Sequence, residues 1–128
     1  MSRRRLLMVL MLAGCGGGDP KFEEALAAAN AKEAQGAGLG VAAPCRAVEQ
    51  CGSLQFANPT NFCGTYHYQP YSLVSATAAA ASAAAAEQRD LAAVSKSLDK
   101  PKGVVCPFSI EMPPTLACVA GRCQVAAP

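Results

Sequence analysis

The sequence predicts an α+β domain: a small antiparallel sheet packed on one long alanine-rich helix and stapled by disulfides. Three observations carry that expectation. Residues 76–93 are dominated by alanine, the best helix former. Short segments of strand character flank that run on both sides, separated by Pro, Gly and Asn. Six cysteines are spread over residues 45–128, a stretch of 84 residues without Trp. A domain this small rarely holds itself together with an apolar core alone, and cross-links supply what the core lacks.

Residues 53–56 form the first strand candidate, and Ala57-Asn58-Pro59-Thr60-Asn61 reads as a turn. Residues 65–69 alternate, with Tyr66 and Tyr68 on one face and His67 on the other, and Pro70 ends the strand or places it at an edge. The helix is expected over residues 75–99. Leu91, Val94 and Leu98 form its apolar stripe, continued backward by Ala84 and Thr77. Pro101 and Gly103 end it. Residues 104–110 are a further strand candidate and Pro113-Pro114 a break. Residues 116–125 read as a hairpin turning at Ala120-Gly121, with Val119 facing Arg122 and Cys118 facing Cys123.

The chain has seven cysteines, and their arithmetic depends on the N-terminus. Arg3, Arg4 and Arg5 make a positive start, followed by the apolar run from Leu6 to Leu12. Spanning a bilayer takes roughly 20 apolar residues, so this run is the core of an export signal and not an anchor. Leu12-Ala13-Gly14-Cys15 then resembles the lipobox of bacterial lipoprotein signals. The resemblance implies cleavage after Gly14 and a diacylglycerol thioether, with an added N-acyl chain such as palmitate, on Cys15. Two or more chains hold a protein stably on a membrane where one does not. By the same resemblance, Gly16 in place of Asp after the lipidated cysteine implies sorting to the outer membrane, facing the periplasm. The run over residues 76–86 is too short and too weakly apolar to insert.

Loss of the leader leaves eight basic against nine acidic residues, net −1, so the +2 of the full chain belongs to the signal. No basic patch remains for nucleic acid. Residues 15–44 hold the lipidated cysteine and a Gly/Ala-rich tether. Asp19-Pro20 starts a marginal helix to about Gln35 within it. As a coil the tether reaches about 30 Å root-mean-square. The folded domain is expected over residues 45–128.

With Cys15 assigned to lipid, Cys45, Cys51, Cys63, Cys106, Cys118 and Cys123 remain, an even set that reads as three disulfides in an exported domain. Cys118 can pair with Cys123 across the hairpin, or each can staple the hairpin to the rest. Cys45 and Cys51 can pair locally, and Cys63 with Cys106 would then clamp the central helix at both ends. Zinc is the competing use of sulfur. The Cys118/Cys123 spacing and the Cys63/His67 pair suit it, but the other spacings do not. No metal and no cofactor are expected.

From Cys63-Gly64-Thr65-Tyr66-His67-Tyr68-Gln69-Pro70-Tyr71-Ser72 through the helix to Cys106 and Pro114…Cys118-Val119-Ala120-Gly121-Arg122-Cys123, the chain resembles small Cys-rich bacterial lipoproteins. It departs from them at Thr65-Tyr66, where a Gly-Pro continues the Cys-Gly start. The resemblance brings a location and no activity.

No catalytic set is expected. His67 is the sole histidine and needs a carboxylate and a nucleophile beside it to act; Ser72, Ser75 and Ser109 carry no mark of a nucleophile. Tyr66, Tyr68 and Tyr71 can make a binding platform or pack on the helix. Glu87 and Asp90 read as a solvated helix face. The expected role is therefore non-enzymatic: a lipid-anchored structural or binding domain of the cell envelope, with the membrane and an envelope protein as partners. A proteinase-inhibitor-like module presenting Asn58-Pro59-Thr60 or Met112-Pro113-Pro114 is the alternative, and an enzyme using His67 comes third.

Overall fold

The computed structural model describes residues 19–99, 103–107 and 111–128. Its elements are helix α1 (Pro20–Leu39), a single 3-10 turn (Val48–Gln50), strands β1 (Cys51–Ala57) and β2 (Tyr66–Ser72), helix α2 (Ala78–Leu98), and strands β3 (Leu116–Val119) and β4 (Arg122–Val125). The class is α+β, and the described residues form two helices and two two-stranded antiparallel sheets, where the sequence led us to expect a single sheet on one long helix, with a marginal helix in the tether.

A further difference lies in residues 19–39, within the stretch expected to be a tether. Asp19 caps α1, its Oδ1 accepting from the Lys21 N–H at 2.9 Å, and Pro20 opens the first turn. The helix then runs past Gln35 to Leu39 and lies against α2. Ala29 and Ala92 are fully buried and form one cluster with Ala57. Small residues let the backbones approach closely. Gly36 shows how closely: a Cβ there would stand 3.0 Å from a Phe56 ring carbon and 3.4 Å from the Ala84 Cβ. Packing thus supplies the stability that α1 lacks as an isolated helix.

The same close approach corrects the face of α2. Its buried residues are Ala78, Ala81, Ala84, Ala85, Gln88, Ala92 and Ser95. Of the expected stripe, Ala84 is buried and Thr77 and Leu91 are half-buried, while Val94 and Leu98 are 49% and 39% exposed. The larger side chains do not fit between backbones this near, so small ones take the interface.

Strands β1 and β2 pair from Cys51↔Ser72 to Ala57↔Tyr66, with Pro70 inside the edge strand β2. Leu54, Phe56 and Tyr71 cluster with Ala78, Ala81 and Ala85, and Ala37 and Leu39 of α1 close that cluster. The outer edge of β1 is covered by α2. Gln88, fully buried, gives its Nε2 to the Ala57 carbonyl at 2.7 Å and accepts the Ala57 N–H at 2.8 Å. Arg89 donates to the Gln55 carbonyl and Ser95 Oγ to the Pro59 carbonyl. Side chains of a helix therefore satisfy a strand edge that would otherwise invite pairing.

The β3–β4 hairpin has the expected register, with Cys118↔Cys123, Val119↔Arg122 and a two-residue turn of Ala120 (φ 53) and Gly121 (φ 76). Two positive φ values give the mirror-image turn whose twist matches paired strands. The segment between α1 and the 3-10 turn joins the two sheets. The Val41 carbonyl accepts from the Ser72 N–H, the Ala42 carbonyl from the Cys123 N–H, and the Cys45 N–H donates to the Gly121 carbonyl. Residues 104–107 are irregular where a strand was expected; residues 108–110 lie outside the described residues.

Candidate functional site

Cys15, the expected lipid attachment point, lies outside the described residues, four positions before Asp19. The other six expected site cysteines are all bonded, as Cys45–Cys118, Cys51–Cys123 and Cys63–Cys106. Cys63 and Cys106 pair as read from the sequence, flanking β2 and α2. The local pairs do not form. Cys118 and Cys123 face each other across β3–β4, but residues 45–51 lie beside the hairpin and each sulfur bonds outward to them. Cys45 and Cys51 consequently turn to the hairpin and not to each other. The sulfurs of Cys45, Cys51 and Cys123 lie within 4.8 Å of one another. Thiolates so placed could share an ion, but here each sulfur is consumed in an S–S bond.

His67 sits opposite Phe56 on β1, and the rings stack with centroids 5.4 Å apart. Its Nε2 lies 2.5 Å from Glu33 Oε1, a carboxylate that α1 brings to the sheet and that no sequence signal had linked to it. The pair is open to solvent. None of the described hydrogen bonds joins His67 to a serine, threonine or cysteine. Ser72 Oγ donates to the Pro44 carbonyl, and Ser75 Oγ is buried without a hydrogen-bond partner; Ser109 lies outside the described residues. Among the described residues, the geometry orients an imidazole and places no hydroxyl or thiol in hydrogen bond with it.

The tyrosines divide between the two readings. Tyr71 is in the core against α2, while Tyr66 is exposed and Tyr68 half-buried on the opposite face, the Tyr68 hydroxyl accepting from Gln55 Nε2. Glu87 is exposed and pairs with Lys32 of α1 at 2.6 Å; Asp90 is exposed. Of the two proline loops, Asn58-Pro59-Thr60 is folded on itself by Asn58 Oδ1 and docked on α2 through Ser95, with Pro59 buried. Met112 and Pro113 are exposed between two disulfide-bonded cysteines, Cys106 and Cys118.

Among the described residues, two of the concavities bear on function. A cleft of about 550 Å³ lies where α1 ends, between Val41, Gln69, Pro70 and β4; Arg122 is its one charged residue. A smaller groove of about 370 Å³ runs between the first turns of α1 and the last turns of α2. Leu91, Val94 and Leu98 form one wall, Ala25 and Ala28 the other, with Lys21 and Glu24 at the rim. The residues taken from the sequence as core are thus the wall of a surface groove. No described helix is long and apolar enough to cross a membrane. Comparison with known protein families, curated proteins and solved structures returned no match.

Proposed function

We propose that this chain is a membrane-anchored lipoprotein of the bacterial envelope, made with a signal over residues 1–14, lipidated at Cys15, and serving a non-enzymatic structural or binding role. The observation that carries the reading is the partition of sulfur. Six of the seven cysteines close among themselves, which leaves Cys15, inside Leu12-Ala13-Gly14-Cys15, as the one with another use. Three cross-links suit an oxidising compartment. The alanine face of α2 seats the β1–β2 sheet, so a thin core and sulfur bracing together hold a durable domain near the bilayer. Gly16 favours the outer membrane, facing the periplasm, and an envelope protein is the partner to seek.

Intact-mass analysis of the membrane-extracted protein tests the reading. We expect loss of residues 1–14 and an added diacylglycerol and acyl group on Cys15, and a Cys15→Ala chain that keeps its leader. A full-length, unmodified chain in the wild type would end the proposal. A second reading, a proteinase-inhibitor-like module, rests on the exposed Met112-Pro113 segment between bonded cysteines. Incubation with a protease panel decides it, since cleavage there without inhibition rejects it. Should an activity be found, its survival in His67→Gln would exclude the histidine.

A further inference from the structure

The groove between α1 and α2 has three properties that belong together. It is apolar on both walls, with Val94 and Leu98 about half and two-fifths exposed although the helix has buried smaller residues in their stead. It opens beside the start of α1, since Lys21, the second residue of that helix, lines it. And the chain that precedes α1 is short: Cys15 stands four residues before Asp19, a span of at most about 14 Å.

The dimensions suit a hydrocarbon chain. From Lys21 to Ala28 on one wall, and from Leu91 to Leu98 on the other, the helices each rise about 10 Å. One leaflet of a bilayer, the length of one acyl chain, is about 15 Å deep. The rim residues Lys21 and Glu24 can lay their aliphatic stems along a chain and keep their charges in water. The groove is concave and lies between two helices, whereas a flat membrane surface meets projecting side chains. The lipid also has a chain to spare, because two chains suffice for stable anchoring.

We infer that the groove lined by Ala25, Ala28, Leu91, Val94 and Leu98 receives one acyl chain of the lipid carried on Cys15. The inference rests on the lipoprotein reading. Its occupant removes from water the two large apolar side chains that the helix pair leaves uncovered, and it fixes the domain against its own anchor.

The test uses the full chain, expressed and processed in a bacterium, with a benzophenone-bearing phenylalanine introduced at position 94. A control places it at position 79, exposed at the other end of α2. After irradiation in phosphatidylethanolamine/phosphatidylglycerol vesicles and proteolysis, mass spectrometry should find the position-94 peptide joined to the lipopeptide that begins at Cys15. Position 79 should give that product at least tenfold less often. Equal yields from the two positions, cross-links from position 94 to vesicle phospholipid, or links to a second protein chain would each overturn the inference while leaving the lipoprotein reading intact. An N-terminal peptide without lipid would remove both.

Discussion

Two of the three disulfides are parallel, and that arrangement has a measurable signature. Cys45–Cys118 and Cys51–Cys123 join the same two regions, with sequence separations of 73 and 72. The intact Cys63–Cys106 bridge lies inside both loops and shortens the path between their ends to about 30 residues, so closing the first of them in the unfolded chain is worth about 3.6 kcal/mol in the chain-entropy account. Once one bridge exists, the other closes only a ring of about 11 residues, because its cysteines are six and five positions away; that second closure is worth about 2.8 kcal/mol. Cys45→Ala/Cys118→Ala and Cys51→Ala/Cys123→Ala should therefore each lose about 2.8 kcal/mol from lost constraint, whereas the quadruple variant loses the large loop as well. Its loss should exceed the sum of the two by about 0.8 kcal/mol. The cycle isolates this coupling, since the burial lost with each cysteine cancels. The assay is equilibrium urea unfolding under non-reducing conditions. Losses that add to within about 0.5 kcal/mol, the level expected of independent sites, would refute the reasoning.

Further outcomes follow from single contacts. Gln88→Ala strands the Ala57 N–H and carbonyl in a buried place and should cost about 2–4 kcal/mol in the same assay, and Gln88→Glu should cost at least as much, because it buries a carboxyl group against the Ala57 carbonyl. Ala92→Leu puts a branched side chain at a fully buried helix contact and should cost about 1–3 kcal/mol, whereas Ala93→Leu, on the exposed side, should be nearly neutral. Ala120→Gly removes a Cβ from a left-handed turn position and should raise stability by about 1 kcal/mol, seen as a higher melting temperature. Lys32→Ala, which breaks a solvent-exposed pair with Glu87, should change stability by less than about 1 kcal/mol.

What the sequence revealed and what it hid follow one physical line. The hairpin could be read because its turn is local: Ala120-Gly121 fixes which residues face each other. The core of α2 could be read because alanine content decides it without help from the rest of the fold. The α+β class followed from those elements. The docking of α1 was hidden because its buried residues, Ala25, Ala29 and Gly36, leave no large apolar stripe to notice. The same smallness misdirected the face of α2, where Leu91, Val94 and Leu98 give the stronger pattern but face the groove. Gln88 sits in a polar run and nothing local marks it as buried. The cysteine count foretold three bonds, but which sulfur meets which depends on where residues 41–45 lie between the sheets, a tertiary fact. Glu33 reached His67 only because α1 docks.

The order in which the sulfurs occur along the chain bears on how the bonds can be made. Cys45, Cys51 and Cys63 all precede α2, and each is bonded to a cysteine that follows it. A chain entering an oxidising space from its N-terminus would expose three thiols before any correct mate had arrived. Oxidation at that moment would capture a wrong pair, to be undone by attack of a later thiolate. Maturation of this protein in such a space therefore depends on either delayed oxidation or an exchange catalyst, and where oxidation is prompt a cell lacking thiol–disulfide isomerase activity should accumulate it in scrambled form.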